Sequence, residues 1–91
     1  MPQKIWKYPI NTQDVNFVLE IPEGAKPLYF EVQRGVPTLW VLVNPKHKFE
    51  KRYFRIVGTG DIIEEDNLNY IGTIQLADGD LIFHLFECLR D

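Results

Sequence analysis

The chain is poor in the residues that announce chemistry. A single cysteine, Cys88, rules out an intramolecular disulfide and a cysteine-rich metal site, and it fits a reducing compartment. Basic excess is missing: the formal net charge is -3, with Lys and Arg scattered among acids. General nucleic-acid binding through phosphate neutralisation is therefore not expected, although a local basic patch stays open. No apolar run approaches the roughly 20 residues that span a bilayer. The stretch Met1-Pro2-Gln3-Lys4-Ile5-Trp6 lacks the apolar core of a signal peptide, so a soluble intracellular protein without membrane contact is expected. There is no internal repeat, low-complexity segment, tail or linker.

What is present is apolar and aromatic. Hydrophobic residues make up 45% and aromatic residues 13% of the 91 positions, spread along the chain as in a globular protein of one domain over residues 1–91. Leu39-Trp40-Val41-Leu42-Val43 and Leu81-Ile82-Phe83-His84-Leu85-Phe86 are apolar at every position or nearly so. Alternate side chains of a strand point to opposite sides of a sheet, so both runs need cover above and below. A chain this short buries only about 60 to 65% of its unfolded surface. Closure into a barrel, a sandwich, or burial against another copy would supply the cover, and self-association is expected.

Gly, Pro and Asn recur too often for long helices, and the intervening segments have strand composition. Lys4 to Ile10 reads as a first strand. Val15 to Ile21 alternates, with Val15, Phe17, Leu19 and Ile21 on one face. Leu28 to Gln33 follows, with Leu28, Phe30 and Val32 inward and Tyr29, Glu31 and Gln33 outward. Arg34-Gly35-Val36-Pro37 turns tightly into the strand through Trp40, which Pro37 can only open. A charged tip at Lys46-His47-Lys48-Phe49-Glu50-Lys51 leads to a strand from about Arg52 to Val57. Asp61 to Asn69 reads as a surface loop. Asn69 to Leu76 and Leu81 to Leu89 flank Ala77-Asp78-Gly79-Asp80, a hairpin signal because Gly adopts the positive φ such turns need. The sum is an all-β fold of about seven antiparallel strands in a small sandwich or partly closed barrel.

Trp6-Lys7-Tyr8-Pro9-Ile10, Ile21-Pro22-Glu23-Gly24-Ala25, Gly35-Val36-Pro37-Thr38-Leu39-Trp40, Arg55-Ile56-Val57-Gly58-Thr59-Gly60, Tyr70-Ile71-Gly72-Thr73 and Phe83-His84-Leu85-Phe86-Glu87 occur in that order. As a set, spanning nearly the full length, they resemble a family of small phage and prophage proteins that carries a domain of unknown function. The resemblance implies a phage or prophage source and a place in the host cytoplasm; it carries over no activity and no catalytic residue.

Candidate residues follow from their own chemistry. Gly58-Thr59-Gly60 ends a strand, where exposed backbone N–H groups can cradle an anion. It lacks the Gly-Lys-Ser/Thr and helix of a phosphate loop and the third glycine of a dinucleotide fingerprint, so glycines ending a strand at a turn or bulge are the default reading. Arg55 shares a strand face with Tyr53 and Val57, so its guanidinium can offer forked donors to a phosphate, carboxylate or planar base, or lay its stem over Tyr53. Tyr29 falls on a polar strand face and is expected to look outward.

Other residues invite a structural reading. His84 is expected to be satisfied by a backbone carbonyl, because Cys88 on the same strand lies about 13 Å away. Asp61, Glu64, Glu65 and Asp66 lack the spacing of a calcium loop and read as solvated. Lys46, His47, Lys48, Lys51 and Arg52 read as a solvated hairpin tip or an edge guard.

Three function classes remain. The leading one is a non-enzymatic, phage-encoded binding protein, self-associating and without a cofactor or metal. It would capture a host protein or a small anionic, nucleotide-like ligand to counter host defence, through Arg55, Gly58, Thr59, Gly60, Tyr53 and Tyr29. The alternative is a structural or assembly component of the phage particle. A hydrolase or nucleotide-cleaving enzyme comes third.

Overall fold

A computed structural model describes residues 2–89. Seven strands form in order: β1 (Lys4–Pro9), β2 (Asn16–Pro22), β3 (Lys26–Gln33), β4 (Val36–Val43), β5 (Phe49–Gly58), β6 (Leu68–Leu76) and β7 (Leu81–Cys88). They make two antiparallel sheets that do not close into a barrel, a three-stranded sheet in the order β1-β4-β3 and a four-stranded sheet in the order β2-β5-β7-β6. The molecule is flat, with principal extents of 41 × 33 × 16 Å, as two sheets packed face to face require.

Alternation decides which residues enter the space between the sheets. Phe30, Leu39, Val41 and Val43 point in from the three-stranded sheet; Ile21, Phe54, Ile56, Ile74 and Leu85 point in from the other. Trp6, Tyr8, Phe17 and Leu19 pack around this cluster. Prolines sit where a missing N–H costs least: Pro9, Pro22 and Pro27 are on edge strands, and Pro37 is the second residue of β4.

Turns explain the register. Gln33 pairs with Val36 across Arg34-Gly35, both left-handed (φ 51° and 79°), the twist that a two-residue hairpin needs. At the β6–β7 turn three consecutive residues are left-handed, Ala77, Asp78 and Gly79, so the bend begins earlier than its Asp-Gly pair suggests. On β3 a bulge falls between Pro27 and Tyr29. The extra residue breaks the expected alternation, and Leu28 is exposed rather than inward. The fifth strand also starts three residues sooner than its composition implies, at Phe49.

The connection between β5 and β6 positions the rest. These strands run parallel on either side of β7, so residues 59–67 must travel back across the sheet. They do so over its outer face, as a strap without helix or strand. Val57 points outward from β5 yet is only 3% exposed, since the strap lies over it.

Candidate functional site

Tyr53 and Arg55 project from the outer face of the four-stranded sheet, opposite Cys88 and Phe86 of β7. Gly58, Thr59 and Gly60 lie at the end of the same strand, where the strap begins. Tyr29 does not join them. It stands on the outer face of the three-stranded sheet, on the opposite side of the sandwich, and is 58% exposed as its outward position on β3 implies.

Three of the groups that recommended this cluster for an anion, Arg55 and the N–H groups of Gly58 and Thr59, already have partners within the chain. The Asp61 carboxylate accepts the Gly58 N–H at 3.0 Å, and Thr59 N–H reaches Ile82 O at 3.4 Å. Arg55 Nε lies 2.6 Å from Glu65 Oε2, a charge contact whose angle leaves the buried Nε without a formed hydrogen bond. Thus of the four acids read as solvated, Asp61 and Glu65 also tie the strap to β5.

His84 contradicts the expected carbonyl partner. Its Nε2 meets Thr59 Oγ1 and its Nδ1 meets Thr73 Oγ1, both at 2.8 Å, and Thr73 Oγ1 meets the Tyr70 hydroxyl at 2.6 Å. Thr73 stands directly opposite His84 on β6, and hydroxyls donate or accept as the tautomer demands. Activation of a threonine nucleophile needs an acid to orient the second ring nitrogen. Here that nitrogen finds another hydroxyl, and the chain clips the strap to the sheet. Tyr70 also packs edge-on against Phe86, with ring centroids 5.6 Å apart.

Arg52 contradicts the solvated reading too. Even-numbered residues of β5 face between the sheets, so Arg52 points inward, where Glu87 of β7 also points. Nε and Nη2 engage the two Glu87 oxygens, and Nη1 donates to Ala25 O at 2.9 Å. Glu50 Oε2 lies 3.4 Å from Nη1 and accepts Gly24 N–H at 3.2 Å. The hydrogen bond to Glu87 lifts the guanidinium above its ordinary pKa against an opposing cost of burial. Half-open cavities of about 330 and 300 Å³ share Arg52 and Glu87 in their walls, yet four of the five N–H donors of the fork are engaged within the chain. Lys48 and Lys51 remain exposed, as expected of the tip.

A different surface is left open. The outer face of the three-stranded sheet carries Ile5 on β1, Trp40 and Leu42 on β4 and Tyr29 on β3, with Ile5 opposite Leu42 and Tyr29 opposite Trp40. The Tyr29 and Trp40 rings lie 6.3 Å apart at 43°. Ile5 is 58% exposed, and no strap crosses this face, because the remaining connections close a hairpin or pass between sheets. Lys26, Lys7 and Glu31 edge the apolar patch, with Lys7 Nζ donating to Gln33 Oε1 at 2.7 Å. Trp40 and Leu42 were visible in the doubly apolar run. Ile5 was not, because the sequence does not say that β1 lies beside β4.

Among the described residues no helix is long and apolar enough to cross a membrane, and no group of three or more His, Cys, Asp or Glu is arranged to hold a metal ion. A family model described as a domain of unknown function (DUF7352) matches residues 1–90. No curated protein and no solved structure matches the chain.

Proposed function

We propose that this chain, which belongs to the DUF7352 family of domains of unknown function, is a non-enzymatic binding protein that works through protein contact and as an assembly of its own copies. One observation carries the reading: the strap between β5 and β6 crosses the outer face of the four-stranded sheet, while no connection among the described residues crosses the outer face of the three-stranded sheet, where Ile5 and Tyr29 are each 58% exposed and Trp40 and Leu42 are half-buried. Trp40, Leu42, Ile5 and Tyr29 gather amphipathic and apolar surface of the kind enriched where proteins meet. Capture of a protein is favoured over capture of a small anion, because Arg55 and the Gly58 N–H already hold Glu65 and Asp61. The resemblance of the six sequence blocks to phage and prophage proteins supports the finer reading, in which a phage-encoded protein binds a host protein in the host cytoplasm and blunts a defence.

Sedimentation velocity across the micromolar range tests the self-associating form. The expected result is a concentration-dependent mass above that of one chain, reduced by Ile5→Lys without change in the circular-dichroism spectrum. A wild-type protein that stays monomeric at every concentration overturns it.

A further inference from the structure

We infer that the occupant of the uncrossed outer face of the three-stranded sheet is a second copy of this chain, related by a two-fold axis that runs along the Lys7–Trp40–Tyr29 row and pairs Lys26 of each copy with Glu31 of the other. This rests on the self-associating reading above and adds to it a specific geometry.

The argument starts from register. On the outer face of the three-stranded sheet, one row holds Ile5, Leu42 and Lys26; the next holds Lys7, Trp40 and Tyr29; the third holds Pro9, Thr38 and Glu31. Lys26 and Glu31 therefore flank Tyr29 on β3, one on each side of the central row. A pair of like subunits meets through the same patch, so the patch must complement itself. Rotation about the central row reverses strand direction and keeps β3 over β3. Lys26 then falls over Glu31 of the second copy and Glu31 over its Lys26. Trp40 lies over Trp40 and Tyr29 over Tyr29, so the rings stack in the middle with ion pairs at the border, which is the usual anatomy of an interface.

Two further observations select this axis. Rotation about β4 instead would place Lys26 over Ile5, desolvating an ammonium against an apolar side chain. The chosen axis brings the two Lys7 residues toward each other, a like-charge contact that would oppose it. The hydrogen bond from Lys7 Nζ to Gln33, however, draws each ammonium off the row toward the far end of the sheet. Lys26 has no ion-pair partner among the described residues, and Glu31 holds only the Tyr29 hydroxyl at 3.3 Å and the Val32 N–H at 3.0 Å. Both charges are exposed and free to pair across the interface.

Size sets the strength. Three strands about 4.8 Å apart and eight residues long at about 3.3 Å each give a projected footprint on the order of 400 Å². A standard interface buries about 800 Å² per partner, so association in the micromolar range is expected rather than a permanent dimer.

Charge reversal tests the geometry by sedimentation equilibrium. Lys26→Glu sets two acids against each other twice per dimer and should weaken association about tenfold. Glu31→Lys should do likewise. The double variant Lys26→Glu, Glu31→Lys restores both pairs and should return the affinity to near that of the wild type. Melting temperatures of the dilute monomers check that each variant is folded. If the wild type associates but the single variants match it, or the double variant fails to recover, the chain pairs through another surface and this inference falls alone. A wild type that stays monomeric sinks both this geometry and self-association, and leaves the face to a different protein.

Discussion

The guanidinium of Arg52 grips the carboxylate of Glu87 as a fork on the diagonal between β5 and β7, with Nη2 3.0 Å from Oε1 and Nε on Oε2. Their side chains are 18% and 11% exposed, so water screens the pair only in part. Removing one partner, as in Glu87→Ala, strands the guanidinium between the sheets and should cost about 2 to 4 kcal/mol, somewhat below a fully buried pair. Replacing both, as Arg52→Met with Glu87→Leu, should cost far less than the single change. Urea denaturation of the three variants at constant m-value measures the difference.

Arg55 ties the strap to the sheet through Glu65. Arg55→Ala should lower stability by about 1 kcal/mol, because Glu65 is partly solvated. Amide exchange of residues 61–66 should accelerate while that of β4 and β7 is unchanged. Uniform acceleration along the chain would count against the strap as a separate element.

Gly72 sits where β6 approaches β3 closely. A Cβ there would lie 3.1 Å from Phe30 Cβ, and Phe30 is buried in the core. Gly72→Ala should therefore destabilise by about 1 to 3 kcal/mol, since neither backbone can retreat without opening the sandwich. Pairing it with Phe30→Leu should recover part of the loss in thermal denaturation.

Arg34 occupies a left-handed position, at φ 51°, in the two-residue turn between β3 and β4. Asn tolerates that conformation better and Asn-Gly is favoured in such turns. Arg34→Asn should raise stability by up to about 1 kcal/mol, read as a higher urea midpoint.

Burial pushes the Tyr8 phenol above its ordinary pKa of 10.0. The folded state thus holds its proton longer than the unfolded chain does. The contribution is whole below pH 10 and is lost as pH rises through the folded value. Stability should decline as pH rises above about 10, and Tyr8→Phe should flatten that decline. An ultraviolet titration should find Tyr8 ionising late.

Strand content was legible because side-chain period and turn chemistry are local. Phe17, Leu19 and Ile21 face inward as their spacing requires, and Arg34-Gly35 turns where a glycine allows it. Leu28 escaped the pattern because a bulge changes the count by one, and bulges answer to the partner strand. Of the candidate residues, Tyr53, Arg55, Gly58, Thr59 and Gly60 lie along one strand and its exit because they are neighbours in sequence on β5. Tyr29 parted from them because β3 belongs to the other sheet. His84 found Thr59 and Thr73, and Arg52 found Glu87, across distances in sequence that no spacing rule spans.

By itself the amino-acid order determined an all-β chain, its turns, and an excess of apolar surface on two strands, since each of these depends on neighbours a few residues apart. Only the tertiary structure decided that a connection crosses the outer face beside β7 and that none among the described residues crosses the outer face of β4. That outcome depends on strand order: β5 and β6 flank β7, so the chain between them has to cross its outer face, and no such crossing is imposed on β4.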